Sequence, residues 1–184
     1  MKAGRGFWLG VMLVLSCLPG WALPPKTAQD ILVDAANRAA AEHKILFFEF
    51  GASWCSQCRR LEAFLSAPEN APIVQKYFVL ADVNVQEKLG KHPELETPGA
   101  EKLLAGFGGR EGVPFIVFVD ANGKRIVTSN RPVAGKSQGD NIGYPDAPEE
   151  IDWFMTMLKK GVPTMSAEEA KTLETWLKQK SSSH

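Results

Sequence analysis

Trp54-Cys55-Ser56-Gln57-Cys58 follows a short stretch after an apolar run, Ile45-Leu46-Phe47-Phe48-Glu49-Phe50, and leads directly into Arg59-Arg60-Leu61-Glu62-Ala63-Phe64-Leu65. The run reads as a buried strand. In the segment that follows, Cys58, Leu61, Phe64 and Leu65 fall on one face at helical spacing, so a helix is predicted there. A strand, a tight link holding C-x-x-C and then a helix put Cys55 at the helix start and Cys58 one turn inside. Unpaired N–H groups and the positive end of the helix dipole favour a thiolate at such a position and lower its pKa. The second cysteine is then placed to attack a mixed disulfide formed on the first.

Other uses of the pair compete with redox exchange. A C-x-x-C is half of a structural zinc site, which needs about four ligands. The chain has 3 cysteines and 3 histidines, there is no second C-x-x-C, and His43, His92 and His184 show no ligand spacing. A closed zinc site is therefore not expected; a module that holds Cu(I) through Cys55 and Cys58 as soft ligands is a rival reading, against which the lack of a nearby histidine or methionine ligand argues. A purely structural disulfide would close a very short loop and constrain the unfolded chain little. Redox exchange is the preferred reading, with no organic cofactor beyond the cysteine pair itself.

The 184 residues are 45% hydrophobic and carry 21 basic and 21 acidic side chains, which suits one globular domain with a sizeable core. Balanced charge without a basic cluster gives no footprint for a nucleic-acid partner. At the N-terminus, Lys2 and Arg5 precede the apolar stretch Phe7–Leu15, and Gly20-Trp21-Ala22 supplies a small-x-small site. This has the form of a signal peptide over residues 1–22, cleaved after Ala22. The apolar stretch is too short for the roughly 20 residues of a membrane span. The expected location is outside the cytoplasm, in the periplasm. Lipidation of Cys17 is the alternative, and it alone would bring a membrane contact. Removing residues 1–22 would leave Cys55 and Cys58 as the whole thiol inventory, which favours exchange over scaffolding.

The block Phe47 to Cys58, FFEFGASWCSQC, resembles the active-site segment of thioredoxin-fold proteins. Val113-Pro114, followed by the strand-like Phe115–Val119, resembles the second marker of that family, a cis-proline loop facing the cysteines. Both markers are similar to those of extracytoplasmic thioredoxin-like proteins, including the C-terminal domain of the disulfide reductase DsbD. The resemblance implies an α/β thioredoxin fold over residues 23–184. A central mixed sheet is flanked by helices over a core of about 27–160, with loop insertions and an extra C-terminal helix over 161–180. It also implies thiol–disulfide exchange with protein thiols and disulfides and with a redox partner protein; direction of electron flow and oligomeric state stay open.

Site roles follow from the same resemblance. Glu49, six residues before Cys55, occupies the place of a buried acid beneath the active site and would take and return the proton of Cys58. Base rates for acids favour an exposed strand position instead. Val113 and Pro114 would pair with a substrate strand and hold its sulfur near Cys55. Trp54 is either ordinary core or, beside an active-site cysteine, a shield for the disulfide and an apolar platform for substrate. Arg59 and Arg60 read as solvated helix charges that also support the thiolate. Asp82 falls near the site, where many family members carry lysine.

Elsewhere, Thr27 caps a helix running to about His43, Asn70-Ala71-Pro72 caps another, and Phe78–Val85 reads as a second parallel strand. Gln86–Pro98 reads as a polar loop, Ala100–Phe107 as a short helix, and Gly106–Gly112 as a flexible approach to Val113. Asp120-Ala121-Asn122-Gly123 signals a hairpin. Arg131–Pro148 reads as a second insertion, either surface decoration or a lip on the substrate groove. Helices are predicted from Pro148 and, behind a Ser166–Glu169 capping box, to near the polar tail Ser181–His184.

Overall fold

The computed structural model describes residues 24–110 and 112–181, and all but the side chain of Gln138 among them. The signal segment 1–22 with Cys17, and the last three residues of the polar tail, lie outside the described residues. The central sheet has the order β2-β1-β3-β4, with β1 Ile45–Gly51, β2 Phe78–Asn84, β3 Phe115–Val119 and β4 Arg125–Thr128. β1 runs parallel to β2 and antiparallel to β3, and β3 pairs antiparallel with β4, so the sheet is mixed as expected.

Both faces of the sheet are covered, which is why its central strands read as nearly unbroken apolar runs. On one face Leu46, Phe48, Phe50, Val117 and Val119 meet α1 (Ala28–Ala41) and α4 (Ala100–Gly106) through Leu32, Ala35, Ala39 and Leu104. On the other, Phe47, Ile116 and Phe118 meet α2 (Ser56–Ser66), α5 (Pro148–Gly161) and α6 (Ala167–Ser181) through Leu61, Phe64, Phe154, Leu173 and Leu177. Each fully buried Phe or Leu contributes about 1.5–3 kcal/mol of transfer free energy. Thus α5, inside the expected core, and α6, the expected extension, both bury side chains against this face.

Local signals account for the helix ends. Thr27 and Asp30 form a reciprocal capping box on α1, and Ser166 and Glu169 do the same for α6. Asn70 departs from its predicted role: it makes no side-chain cap on α3 (Ala71–Tyr77) but is fully buried, and its Nδ2 donates to Phe64 O at 2.9 Å. That bond supplies the Phe64 carbonyl, whose partner one helical turn on would be Pro68, which has no N–H, while Asn70 Oδ1 is buried without a partner among the described residues.

Both insertions have more structure than their polar, glycine-rich sequences indicate. Residues Glu87–Gly90 and Pro93–Leu95 form 3-10 turns within the expected loop. Asn130–Val133 (β5) and Lys136–Asn141 (β6) form an antiparallel hairpin inside what reads as an irregular insertion. Among the described residues, no helix is long and apolar enough to cross a membrane.

Candidate redox site

β1 delivers the chain to Gly51 and α2 begins at Ser56, so the cysteines sit at the carboxyl end of a central strand. Cys55 is the N-cap of α2: its Sγ accepts the Cys58 backbone N–H at 3.0 Å. The first turn of α2 carries no acidic side chain, so nothing on the helix itself cancels the positive N-terminal field. Cys55 and Cys58 are joined in a disulfide, with Cα atoms 5.4 Å apart. The expected juxtaposition with Val113-Pro114 is present. That peptide bond is cis, and Val113 O lies 3.4 Å from Cys55 Sγ. Cys55 is only 3% exposed, and Cys58 is partly buried.

Glu49 points from β1 into a cleft of about 580 Å³ that is also lined by Cys58, Asp82 and Glu62. A Cβ on Gly51 would stand 3.2 Å from Glu49 Oε1 and 3.6 Å from Cys58 Sγ, so carboxyl and sulfur converge on the one residue without a side chain. Burial pushes the Glu49 carboxyl up to about 8, helped by the negative charges of Asp82 and Glu62. Asp82 is the register partner of Glu49 on β2, which is how an exposed residue bears on a half-buried one. The alternation argument for a fully solvated Glu49 fails because both faces of this sheet are covered.

Trp54 is 38% exposed, so it is not ordinary core. Its Nε1 donates to Gln86 O at 3.0 Å, and its indole lies against Gly90, where an added Cβ would fall 2.2 Å from the ring. Arg59 reaches Ser53 O at 3.4 Å. Arg60 differs from the expected solvated charge. It makes a bidentate pair with Asp146 at 2.8 and 2.9 Å and lies 4.3 Å over the Tyr144 ring, tying α2 to the segment before α5.

Two features at the rim escape sequence reasoning. Glu87, in a stretch that reads as polar loop, is fully buried and bonds Ser53. Asn141, at the end of β6, donates through Nδ2 to Pro114 O at 3.0 Å and Gly112 O at 3.2 Å, so the hairpin holds the proline loop. Neither has a sequence signal, since single polar residues in glycine-rich or charged segments ordinarily face solvent.

A redox-type dithiol at the start of a helix, facing a cis-proline on a mixed α/β sheet, defines the thioredoxin fold. A family model described as a thioredoxin-like domain matches residues 32–131, more than half of the chain, and the chain belongs to that family. Among solved structures it is similar to a disulphide isomerase from Xylella fastidiosa Temecula1, at 19% identity over 86% of this chain and 97% of that one, with a TM-score of 0.47. It is also similar to the oxidised C-terminal domain of DsbD from Neisseria meningitidis, at 23% identity over 72% of this chain and 98% of that one, with a TM-score of 0.40. Sequence comparison with curated proteins gives no match.

Proposed function

We propose that the chain is an exported, periplasmic thiol–disulfide oxidoreductase that exchanges disulfides with protein substrates through Cys55 and Cys58. The observation that carries this reading is the placement of Cys55 Sγ, bonded by the Cys58 N–H at 3.0 Å at the mouth of α2 and 3.4 Å from Val113 O. A helix N-terminus stabilises the thiolate that attacks and leaves. Val113 and Pro114 offer backbone against which an extended substrate segment pairs beside that sulfur, and Trp54 offers an apolar platform next to it.

In the reducing direction the Cys55 thiolate attacks one sulfur of a substrate disulfide and releases the other as a thiolate. Cys58 then loses its proton to ionised Glu49 and attacks the Cys55 sulfur. The Cys55–Cys58 disulfide forms, the second substrate thiolate leaves, and Glu49 returns the proton to it. Two electrons pass from the dithiol to the substrate, and a redox partner protein restores the dithiol. The oxidising direction is the same path reversed. A carboxyl titrating near 8 suits this task, since proton transfer is most effective when the pKa lies close to the working pH. The exported location rests on the charged and apolar pattern of residues 1–22.

The test is a Cys58→Ala trap expressed with its full N-terminus. Mixed disulfides between Cys55 and exported proteins are the expected outcome, together with wild-type turnover of an insulin-type disulfide at the expense of a thiol donor. A folded, exported variant that captures nothing, beside a wild type without turnover, refutes the proposal.

A further inference from the structure

Glu87 stands outside the dithiol machinery and is the most tightly enclosed acid among the described residues. It is fully buried, yet among those residues no lysine, arginine or histidine forms an ion pair with it. Its whole commitment is to the loop that carries the cysteines. Oε1 accepts the Ser53 backbone N–H at 2.7 Å and Oε2 accepts the Ser53 hydroxyl at 2.7 Å. Two short bonds, one to each oxygen, tie both sides of the carboxyl to one residue of that loop.

The residues around Glu87 serve the same contact. Gln86 sits in the left-handed region with φ 61°, a conformation that is strained for a non-glycine residue and persists only when its surroundings enforce it. Here Glu96 enforces it, accepting from Gln86 N at 3.3 Å and Glu87 N at 2.8 Å, while Gln86 Nε2 donates to Arg110 O at 2.9 Å. The carbonyl so oriented receives Trp54 Nε1. Ser53 and Trp54, the two residues before Cys55, are therefore both set by one short segment.

We propose that Glu87 is a positioning residue of the redox site: its buried carboxylate fixes Ser53 and Trp54 so that Cys55 caps α2, and its charge opposes the Cys55 thiolate, biasing the pair toward donating electrons. The inference rests on reading Cys55 and Cys58 as the exchange pair. A buried anion beside the loop works against a second negative charge at Cys55. Arg59 reaches the same loop but is exposed and screened, and Arg60 is held by Asp146. A less stable thiolate means a less stable reduced form, which is the poise of a reductant.

Glu87→Gln and Glu87→Ala separate the two parts. Glutamine keeps an acceptor for Ser53 N–H and removes the charge; alanine removes both. The Cys55 pKa is read from the pH dependence of iodoacetamide alkylation, and the dithiol–disulfide equilibrium is read against glutathione. In Glu87→Gln the pKa is expected to fall by about one unit. At a pH above it, the equilibrium should move about tenfold toward the dithiol, or about 30 mV. Glu87→Ala should show the same pKa fall, together with a loss of exchange rate that Glu87→Asp partly restores. If Glu87→Gln lowers only the melting temperature and moves neither pKa nor equilibrium, Glu87 is a structural acid and the proposal is overturned. Wild-type turnover is measured alongside, so that absence of exchange chemistry altogether is distinguished from failure of this inference.

Discussion

Glu49→Gln replaces a carboxyl by a neutral amide of nearly the same shape inside the cleft beneath Cys58. In the folded protein the carboxyl titrates near 8, against 4.5 as its ordinary value, because burial and the charges of Asp82 and Glu62 oppose its ionisation. Between those two pH values the folded state holds a proton that the unfolded state has lost. The contribution of the protonated carboxyl is thus fully present below about pH 4.5, declines as pH rises, and levels off above about pH 8. At about 1.4 kcal/mol per pH unit the full decline is roughly 5 kcal/mol, an upper figure for a group that keeps some water on its cleft side. The glutamine variant lacks this slope. Glu169, whose carboxyl is held down at about 2 by hydrogen bonds from Lys76, Tyr77 and Ser166, acts only in acid and is common to both proteins. Urea unfolding of the oxidised wild type and Glu49→Gln, from pH 5 to pH 9, gives the difference directly. The wild type should lose roughly 1 kcal/mol or more per pH unit relative to the variant through the neutral range. In exchange assays the wild type should show an inflection near pH 8 that the variant lacks. A stability difference that is the same at pH 5 and pH 8.5 would show that Glu49 titrates as a solvated acid, and the proton-handling role would go with it.

Two further perturbations probe the walls of the site. Gly90→Ala places a Cβ 2.2 Å from the Trp54 ring, so the indole must leave its seat and its bond to Gln86 O; a stability loss of about 1–3 kcal/mol is expected, with a changed tryptophan emission. Unchanged emission and stability would mean that the contact with Trp54 is loose. Asp146→Asn removes the bidentate partner of Arg60 at the start of the α5 approach and should lower stability by about 1 kcal/mol, with the loss vanishing in an Arg60→Ala background. Additive losses in the double-mutant cycle would refute the coupling.

What the sequence discloses about this molecule depends on whether a residue's role is written in local pattern or in distant contact. β1, α2 and the C-x-x-C are legible because strand burial, helical spacing and cysteine spacing are all short-range signals, and Val113-Pro114 is legible only through family resemblance. Asp82 is placed near the site by the same resemblance; the βαβ connection implies a parallel direction, and the register that sets Asp82 opposite Glu49 is read only from the structure. Asn70 misleads, since a good cap residue next to Pro72 says nothing of the buried Phe64 carbonyl that claims it. Arg60 misleads in the same way: Asp146, far along the chain, decides its geometry. Glu87 and the β5–β6 hairpin are illegible for a stronger reason. Their sequences are polar, with β6 reading Lys-Ser-Gln-Gly-Asp-Asn, and the partners that make them ordered lie in the active-site loop and the proline loop.

The two insertions act on opposite sides of the same sulfur. The segment from Gln86 to Glu96 grips Ser53 and Trp54, upstream of Cys55, while Asn141 at the foot of the hairpin grips Gly112 and Pro114, across from it. Each grip consists of side chains bonding backbone or its immediate neighbour, so it constrains loop position without filling the groove between them. A thiolate that must attack in line along a substrate disulfide gains from walls fixed independently of substrate, because the ordering cost is met on folding and not on binding. It follows that loosening either insertion should raise KM and slow exchange without abolishing the dithiol chemistry, whereas loss of Cys55 should abolish it. The unequal acidity of the two sides sharpens the distinction. Glu87 brings a charge to the upstream wall, and Asn141 brings none to the other, so only the upstream insertion should move the redox equilibrium as well as the rate.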